Sequence, residues 1–267
     1  MSADRETTTA QVWRLAGGEL RQEAAALIVE EPLEIVVDGE LYSVVMRTPG
    51  DDLALAAGFC LAEGVIESRA DLGSIQACEL ENANQVAVVR AGEHLPLLRP
   101  VRHPIVSSCG LCGRDMIEDV VKRLPELRVD CRFALPDLLA MGERLQEAQQ
   151  HFRPTGGTHA AGLFDERGEL LSVAEDVGRH NALDKAIGRL LLADRLSEAR
   201  FAVLSGRCSF EMVQKAARAG IPVVASVSAP TELAVDLARR TGVTLVGFVR
   251  RETLTVYVDQ GRIADLQ

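Results

Sequence analysis

Two cysteines separated by two residues, Cys109 and Cys112, are the side chains of this sequence best suited to covalent chemistry. They lie in the glycine- and serine-rich stretch Ser107–Gly113, which is followed at once by a helix-like run from Arg114 to Leu124. A helix N-terminus and a neighbouring arginine both favour thiolate over thiol, and the glycines leave the backbone free to open around it. The pattern therefore predicts that Cys109 is a nucleophile that handles sulfur.

Structural zinc sites and thiol–disulfide oxidoreductases use the same spacing. A zinc site with four ligands needs a second close pair of Cys or His, and we predict no metal site because the other cysteines occur singly, at Cys60, Cys78, Cys131 and Cys208. A zinc-dependent deaminase needs a His-x-Glu motif ahead of the pair, and the sequence has none. An oxidoreductase stays open as an alternative, although its cysteine pair usually opens a helix directly after the first strand of a small domain.

Composition limits the classes of protein that this chain can belong to. The 267 residues, 47% hydrophobic and 25% charged, are enough for a sizeable core. No apolar run reaches the roughly 18 residues of a membrane span, and Met1–Glu6 lacks the apolar centre of a secretory signal, so we expect a cytoplasmic protein without membrane association. The net charge of −10 argues against nucleic-acid binding, which needs clustered positive charge.

The first half of the chain predicts hairpins and two helices. Residues 1–20 are polar and are typical of a frayed leader or an edge strand. Leu33–Met46 alternates about Asp38–Gly39, which is the signature of a two-residue β-hairpin turn. Apolar residues recur at helical spacing over Asp51–Glu63 and Ala134–Gln150, which predicts helices there.

From Gly162 onward, apolar strands alternate with amphipathic helices. We predict strands at Phe201–Leu204, Val223–Val227 and Thr244–Val249, and helices at Asn181–Leu192, Phe210–Ala219 and Thr231–Thr241. This alternation indicates an α/β fold with a layered mixed sheet and helices on both faces, after an α+β N-terminal part.

Polar residues interrupt the pattern where strands pass into helices, at Glu175–Asn181, Ser205–Ser209 and Ser226–Thr231. Asn181, Ser209 and Thr231 are good helix N-cap residues, and capping alone is one explanation. The other is a shared anion-binding pocket, because the carboxyl ends of strands collect binding sites and both arginine and helix N-termini bind phosphate.

Several segments together resemble the formate dehydrogenase accessory sulfurtransferase family, often called FdhD, from about Pro32 to the end of the chain. The segments are Ser108–Gly113, Thr155–Ala161, Glu175–Lys185, Ser205–Arg207 and Gly220–Val223. The cysteine pair alone is generic, whereas the Glu-Asp-Val-Gly-Arg-His-Asn-Ala run after it is highly specific.

The resemblance implies a sulfurtransferase with a cysteine persulfide intermediate. Such a protein accepts sulfur from a cysteine desulfurase and transfers it to the bis(molybdopterin guanine dinucleotide) molybdenum cofactor, its bound substrate, for use by formate dehydrogenase. A non-enzymatic chaperone of the cofactor or apoenzyme remains a further alternative. The resemblance also implies a homodimer that binds GDP as a mimic of the cofactor, with no permanently bound metal.

The resemblance also assigns residues and domains. It matches the persulfide position to Cys109, beside Cys112, and the cofactor-binding stretch to Phe248, Val249, Arg250, Arg251, Glu252 and Thr253. From the junctions we add Arg179, His180 and Arg207 as candidate phosphate or base contacts. We expect an N-terminal hairpin-rich part at 1–107, the cysteine loop with helices at 108–154, and a domain at 155–267 that the resemblance implies is cytidine deaminase-like.

Overall fold

The computed structural model describes residues 6–78, 84–92, 118 and 121–266. Cys109 and Cys112 therefore lie outside the described residues, and their assignment stays a prediction.

The described chain begins with a two-stranded antiparallel hairpin, β1 (Thr7–Ala16) and β2 (Glu19–Ile28). Gly17 and Gly18 form its turn with φ angles of 61° and 85°, as two-residue hairpin turns require. Of the two expectations for residues 1–20, a frayed leader or an edge strand, the structure has a strand over Thr7–Ala16. We missed its pairing with β2, although the glycine pair is itself a hairpin signal. The distal part of the hairpin is solvent-exposed, including Trp13.

A four-stranded sheet follows, in the order β4-β3-β6-β5. Its strands are β3 (Glu31–Val37), β4 (Glu40–Arg47), β5 (Leu72–Ala77) and β6 (Gln85–Arg90). The predicted turn at Asp38–Gly39 joins β3 to β4. Helix α1 (Asp52–Ala62) lies between β4 and β5 in the chain, as its apolar spacing predicted.

Helices α2 (Leu135–Ala148) and the one-turn α3 (Phe152–Thr155) lead into a mixed six-stranded sheet. In chain order this second part contains β7 (His159–Phe164), β8 (Leu170–Asp176), α4 (Arg179–Leu192), β9 (Phe201–Leu204), α5 (Phe210–Arg218), β10 (Val223–Ser226), α6 (Glu232–Thr241), β11 (Thr244–Arg250) and β12 (Thr253–Val258). The strand order is β12-β11-β10-β9-β7-β8, and β9, β10 and β11 are parallel neighbours. The predicted mixed α/β fold is confirmed.

Two hydrophobic clusters cover opposite faces of the six-stranded sheet. On one face, side chains such as Ala202 and Leu204 of β9 pack with α4, α5 and α6. On the other face, Phe201 and Val203 pack against the apolar stripe of α2, which includes Leu145. Alternate residues of one strand therefore serve both layers, as expected for a central strand.

The first cluster continues without a break into the four-stranded sheet through α1. Glycines let α1 and α4 approach closely: a Cβ at Gly58 would overlap the carbonyl of Asp184, and one at Gly188 would overlap the carbonyl of Ala54. The two sheets thus share one core, and the three-part division of the chain stays a prediction.

Of the three predicted N-cap residues, Thr231 caps α6 by accepting a hydrogen bond from the Ala234 amide at 3.3 Å. Ser209 occupies the N-cap position of α5 but makes no side-chain cap. Asn181 was predicted wrongly, since α4 begins two residues earlier. No helix among the described residues is long and apolar enough to cross a membrane.

Candidate functional site

The carboxyl ends of four strands share one edge of the six-stranded sheet. Strands β9, β10 and β11 run in parallel, and β8 runs in the same direction because β7 is antiparallel to both β8 and β9. This arrangement places the first residue of β7, His159, at the same edge, opposite Asp176 at the end of β8. Ligand sites typically form at such an edge.

A cavity of about 610 Å³ opens there, between the sheet edge and α2. Its polar and backbone lining comes from α2, from the α3–β7 connection and from the ends of β9, β10 and β11, and it includes Glu143, Gln146, Gln149, Gly156, Gly157, Thr158, His159, Ser205, Val227, Arg250 and Arg251. Its apolar lining includes Leu139, Leu145 and Val249. The volume falls in the range of small-molecule sites.

The two arginines reach the cavity because β11 ends irregularly. The β11–β12 ladder shifts register between Gly247 and Arg250, and Phe248 has a positive φ of 53°. Gly247 permits this bend beside Pro230, since a Cβ there would lie 2.8 Å from the proline ring. A positive φ at a bulky residue is costly and is typical of functional segments.

Glu175 of β8 holds the wall formed by the α2–α3 turn. Its carboxylate accepts backbone hydrogen bonds from Gln150, His151 and Phe152 at 2.5–2.8 Å. It also accepts a hydrogen bond from the Thr158 hydroxyl at 2.7 Å. One carboxylate therefore joins the end of α2, the start of α3 and the strand entering the sheet edge.

Asp176 is fully buried and performs a different task. Its carboxylate accepts a hydrogen bond from the backbone amide of Gly178, just before α4, at 2.8 Å. It accepts a second from the backbone amide of Thr48, just after β4, at 3.1 Å. Buried Lys185 lies 2.7 Å from this carboxylate and donates to the Thr48 carbonyl at 2.8 Å. A buried charge needs such pairing, and this pair fixes the N-terminal sheet to the start of α4.

A second polar cluster lies beside the cavity. A Cβ at Gly206 would lie 3.1 Å from Nδ1 of His159 and 3.8 Å from Cδ of Arg179. His180 Nε2 faces a Glu211 carboxylate oxygen at 3.8 Å, which is ion-pair rather than hydrogen-bond distance. The Nε atom of Arg179 and the Nε2 atom of His180 are buried without a hydrogen-bond partner among the described residues.

The pKa values of two members of this cluster, His159 and Glu211, are shifted. Burial lowers the pKa of His159, and Arg179 and His180 act in the same direction, while Asp176 opposes them. The facing imidazole of His180, assisted by the Ser209 hydroxyl, holds the pKa of Glu211 well below its usual range, although burial opposes this. His159 is therefore neutral at neutral pH and Glu211 is ionised.

The structure brings together only part of the predicted site. Val249, Arg250 and Arg251 line the cavity, with Ser205 and Val227 from two of the three predicted junctions. The following residues lie outside its lining: Phe248, Glu252, Thr253, Arg179, His180 and Arg207. Phe248 lies under the Arg250 guanidinium, and 6.0 Å separate the Arg250 Cζ atom from the centroid of the Phe248 ring. Arg207 is solvent-exposed.

Sequence reasoning missed Gln149 and the role of Glu175. Gln149 continues the apolar stripe of Leu138, Met141 and Leu145 by one further turn, and a polar residue at a core position is a detectable signal. The contacts of Glu175 reach back between 17 and 25 residues and have no local pattern.

Three of the described cysteines, Cys60, Cys131 and Cys208, are poor nucleophiles. Burial raises the pKa of Cys60 to about 12, helped by nearby Asp184, and burial alone raises that of Cys208 to about 12. Burial also raises the pKa of Cys131. A high pKa keeps a thiol protonated and unreactive, which agrees with the prediction that Cys60 is a core residue.

Residues 28–264 match the model of the FdhD/NarQ family. The chain belongs to this family. Among curated relatives, "Sulfur carrier protein FdhD" of Streptomyces coelicolor is 45% identical over 277 residues, covering 97% of this chain and 96% of that protein. The protein of the same name from Saccharolobus solfataricus is 40% identical, covering 94% of this chain and 95% of its own length.

A solved structure supports the fold independently. The crystal structure of a "putative formate dehydrogenase accessory protein" from Desulfotalea psychrophila matches with a TM-score of 0.78 and covers 96% of this chain and 99% of that one. At 24% identity, this likeness concerns the fold alone.

Proposed function

We propose that this FdhD/NarQ-family protein is a sulfurtransferase that carries sulfur as a persulfide on Cys109. The donor is a cysteine desulfurase, and the acceptor is the bis(molybdopterin guanine dinucleotide) molybdenum cofactor that formate dehydrogenase uses. The observation that carries the proposal is the agreement, over nearly the whole chain, with relatives named sulfur carrier proteins.

The chemistry needs one reactive thiolate. The Cys109 thiolate attacks the terminal sulfur of the donor persulfide, a new S–S bond forms, and the donor cysteine leaves as a thiolate. Passing the terminal sulfur to the acceptor regenerates Cys109. The high pKa values of buried Cys60 and Cys208 support a reaction at the Cys109–Cys112 pair instead.

The cavity fits the nucleotide part of this substrate. Arg250 and Arg251 supply guanidinium groups for phosphate, and Gly156 and Gly157 allow close approach to backbone. We propose Phe248–Thr253 as the binding stretch, with Val249–Arg251 in contact. Arg179, His180 and Arg207 belong to the proposal as contacts beside the cavity, and the active form is a cytoplasmic homodimer.

Activation of formate dehydrogenase tests the transfer. Apoenzyme, cofactor, desulfurase and cysteine are mixed with wild-type protein, Cys109→Ser or Cys112→Ser, and formate oxidation is measured. We expect no activation by Cys109→Ser, since serine cannot carry a persulfide. Full activation by that variant would favour a chaperone. A thiol–disulfide oxidoreductase would instead require both cysteines equally and would bring no sulfur to the cofactor.

Calorimetry with GDP tests the nucleotide site separately. We expect Arg250→Ala and Arg251→Ala each to weaken GDP binding roughly tenfold, because each removes a charge-assisted contact to phosphate. Arg153→Ala is the control, since Arg153 lines only a neighbouring cavity. Unchanged affinity in both variants would remove this cavity as the site.

A further inference from the structure

The cavity has an inner and an outer end of different chemistry. A neighbouring cavity shares Glu143, Gln146, Phe152, Gly156 and Arg251 with it, so these residues mark the outer end. All five are exposed, and Gly156 presents bare backbone. Positive and negative side chains are therefore both available where the cavity opens to solvent.

The inner end is lined mostly by neutral groups; Arg250 also lines only the first cavity, and its Nε lies 3.5 Å from the Val227 carbonyl oxygen. Gln149, Thr158, His159, Ser205 and Val227 line only the first cavity and are buried or half-buried. No side chain of this group is charged at neutral pH, because burial keeps His159 unprotonated. A phosphate would find no cation among them, whereas an uncharged heterocycle would meet hydrogen-bonding groups.

Gln149 is the residue that points to a ligand. Only 7% of it is exposed, it lines the cavity, and its carboxamide has no hydrogen-bond partner among the residues that the structure describes. The carboxamide atoms are not themselves among the fully buried unpaired atoms, so they are accessible from the cavity and free to bond a ligand there. The carboxamide offers both a donor and an acceptor, which is the combination that a purine edge requires.

Ser205 and His159 add hydrogen-bonding groups at the same end of the cavity. Ser205 Oγ accepts the Ala160 amide at 2.8 Å, which leaves its hydroxyl proton to donate. Leu145 and Val227 supply apolar surface against which a flat ring can lie. An apolar slot with a few converging neutral polar groups is typical of sites for uncharged heterocycles.

We propose that the inner end is a base-recognition subsite in which Gln149 hydrogen-bonds the nucleobase edge, while Arg250, beside Val227, and Arg251, at the outer end, hold the phosphates. The inference rests on the proposed nucleotide site, for which the base is guanine. It assigns recognition of the base to the end of α2 and not to the arginine-bearing end of β11.

Three ligands separate the two ends: GDP, guanosine, which lacks phosphate, and pyrophosphate, which lacks a base. Calorimetry is performed on the full chain. We expect Gln149→Leu to weaken GDP and guanosine roughly tenfold and to leave pyrophosphate unchanged, since one hydrogen-bonding group is lost. Arg250→Ala should weaken GDP and pyrophosphate and leave guanosine unchanged.

Gln150→Leu is the matched control, because its side chain is exposed and lies outside the cavity lining; it should behave as wild type. If Gln149→Leu has a lowered melting temperature, Gln149→Met replaces it, because methionine keeps the length of the side chain. The inference is overturned when Gln149→Leu leaves GDP binding unchanged or weakens pyrophosphate equally. Failure of the wild type to bind GDP would also overturn the inference. The proposed sulfur transfer would still be tested separately, by sulfur loading of Cys109.

Discussion

Glu175 and Asp176 are adjacent carboxylates on β8 whose side chains serve opposite faces of the strand. Glu175 binds the α2–α3 turn and Thr158, which form a wall of the cavity. Asp176 binds Thr48 and the start of α4, which join the two sheets. These contacts give the acid pair a positioning role at the cavity and between the two sheets.

Replacing Glu175 by Gln should loosen the cavity wall. An amide has one acceptor oxygen, so donors that now share the carboxylate lose their partner. We expect a loss of roughly 2 kcal/mol in the free energy of unfolding, from the typical worth of charge-assisted hydrogen bonds, and weaker GDP binding. Denaturant unfolding and calorimetry measure both, with Glu166→Gln, exposed in the β7–β8 turn at the other end of the strand, as control. Wild-type GDP affinity in Glu175→Gln would contradict the positioning role.

His159 should make the stability of the protein depend on pH. Its folded-state pKa lies below that of the unfolded chain, so the contribution of neutral His159 is fully present above the unfolded value of about 6.5 and is lost as pH falls through the lowered pKa. We expect melting temperature to fall more steeply from pH 7.5 to pH 5 in wild type than in His159→Gln. Parallel curves for the two proteins would show that His159 is not the group responsible.

At the scale of elements, the contact between α1 and α4 determines how the two sheets are joined. Gly58 and Gly188 lie where backbone meets backbone, and the space has no flexible side chain that can move away. The four-stranded sheet reaches the layer of α4, α5 and α6 through this contact.

Alanine at Gly58 or Gly188 should therefore be severely destabilising. The added methyl would overlap a carbonyl group, so the helices must separate, and we expect a loss of at least about 3 kcal/mol, as for strong overpacking. Gly142→Ala in α2 is the matched control, because its Cβ would lie 3.1 Å from a methyl group of Val249, which can move. Thermal unfolding compares the three. Stability of Gly58→Ala near that of Gly142→Ala would contradict the close helix contact.

At the scale of the whole molecule, the periodic parts were predictable and the long-range contacts were not. Hydrophobic spacing predicted α1, α2 and the strands β9 to β11 to within about two residues, because each pattern is local. The polar junctions indicated the edge of the sheet at which the cavity opens. The partners of Asp176, however, include Thr48, 128 residues away, and only the folded chain brings them together.

The cavity at the sheet edge depends on the same long-range contacts. Sequence motifs indicated Arg250 and the Gly156–Gly157 pair, but they did not indicate Gln149, which lines the same cavity. We propose that this architecture serves the carriage of sulfur on Cys109.

Intact-mass spectrometry after incubation with a cysteine desulfurase and cysteine tests this claim most directly. We predict that wild type gains the mass of one sulfur atom at Cys109, that Cys109→Ser gains none, and that Cys60 and Cys208 remain unmodified because burial holds their pKa near 12. The gained mass should disappear when the cofactor is added. Equal labelling of Cys109→Ser, or labelling that the cofactor does not remove, would contradict the proposed sulfur transfer.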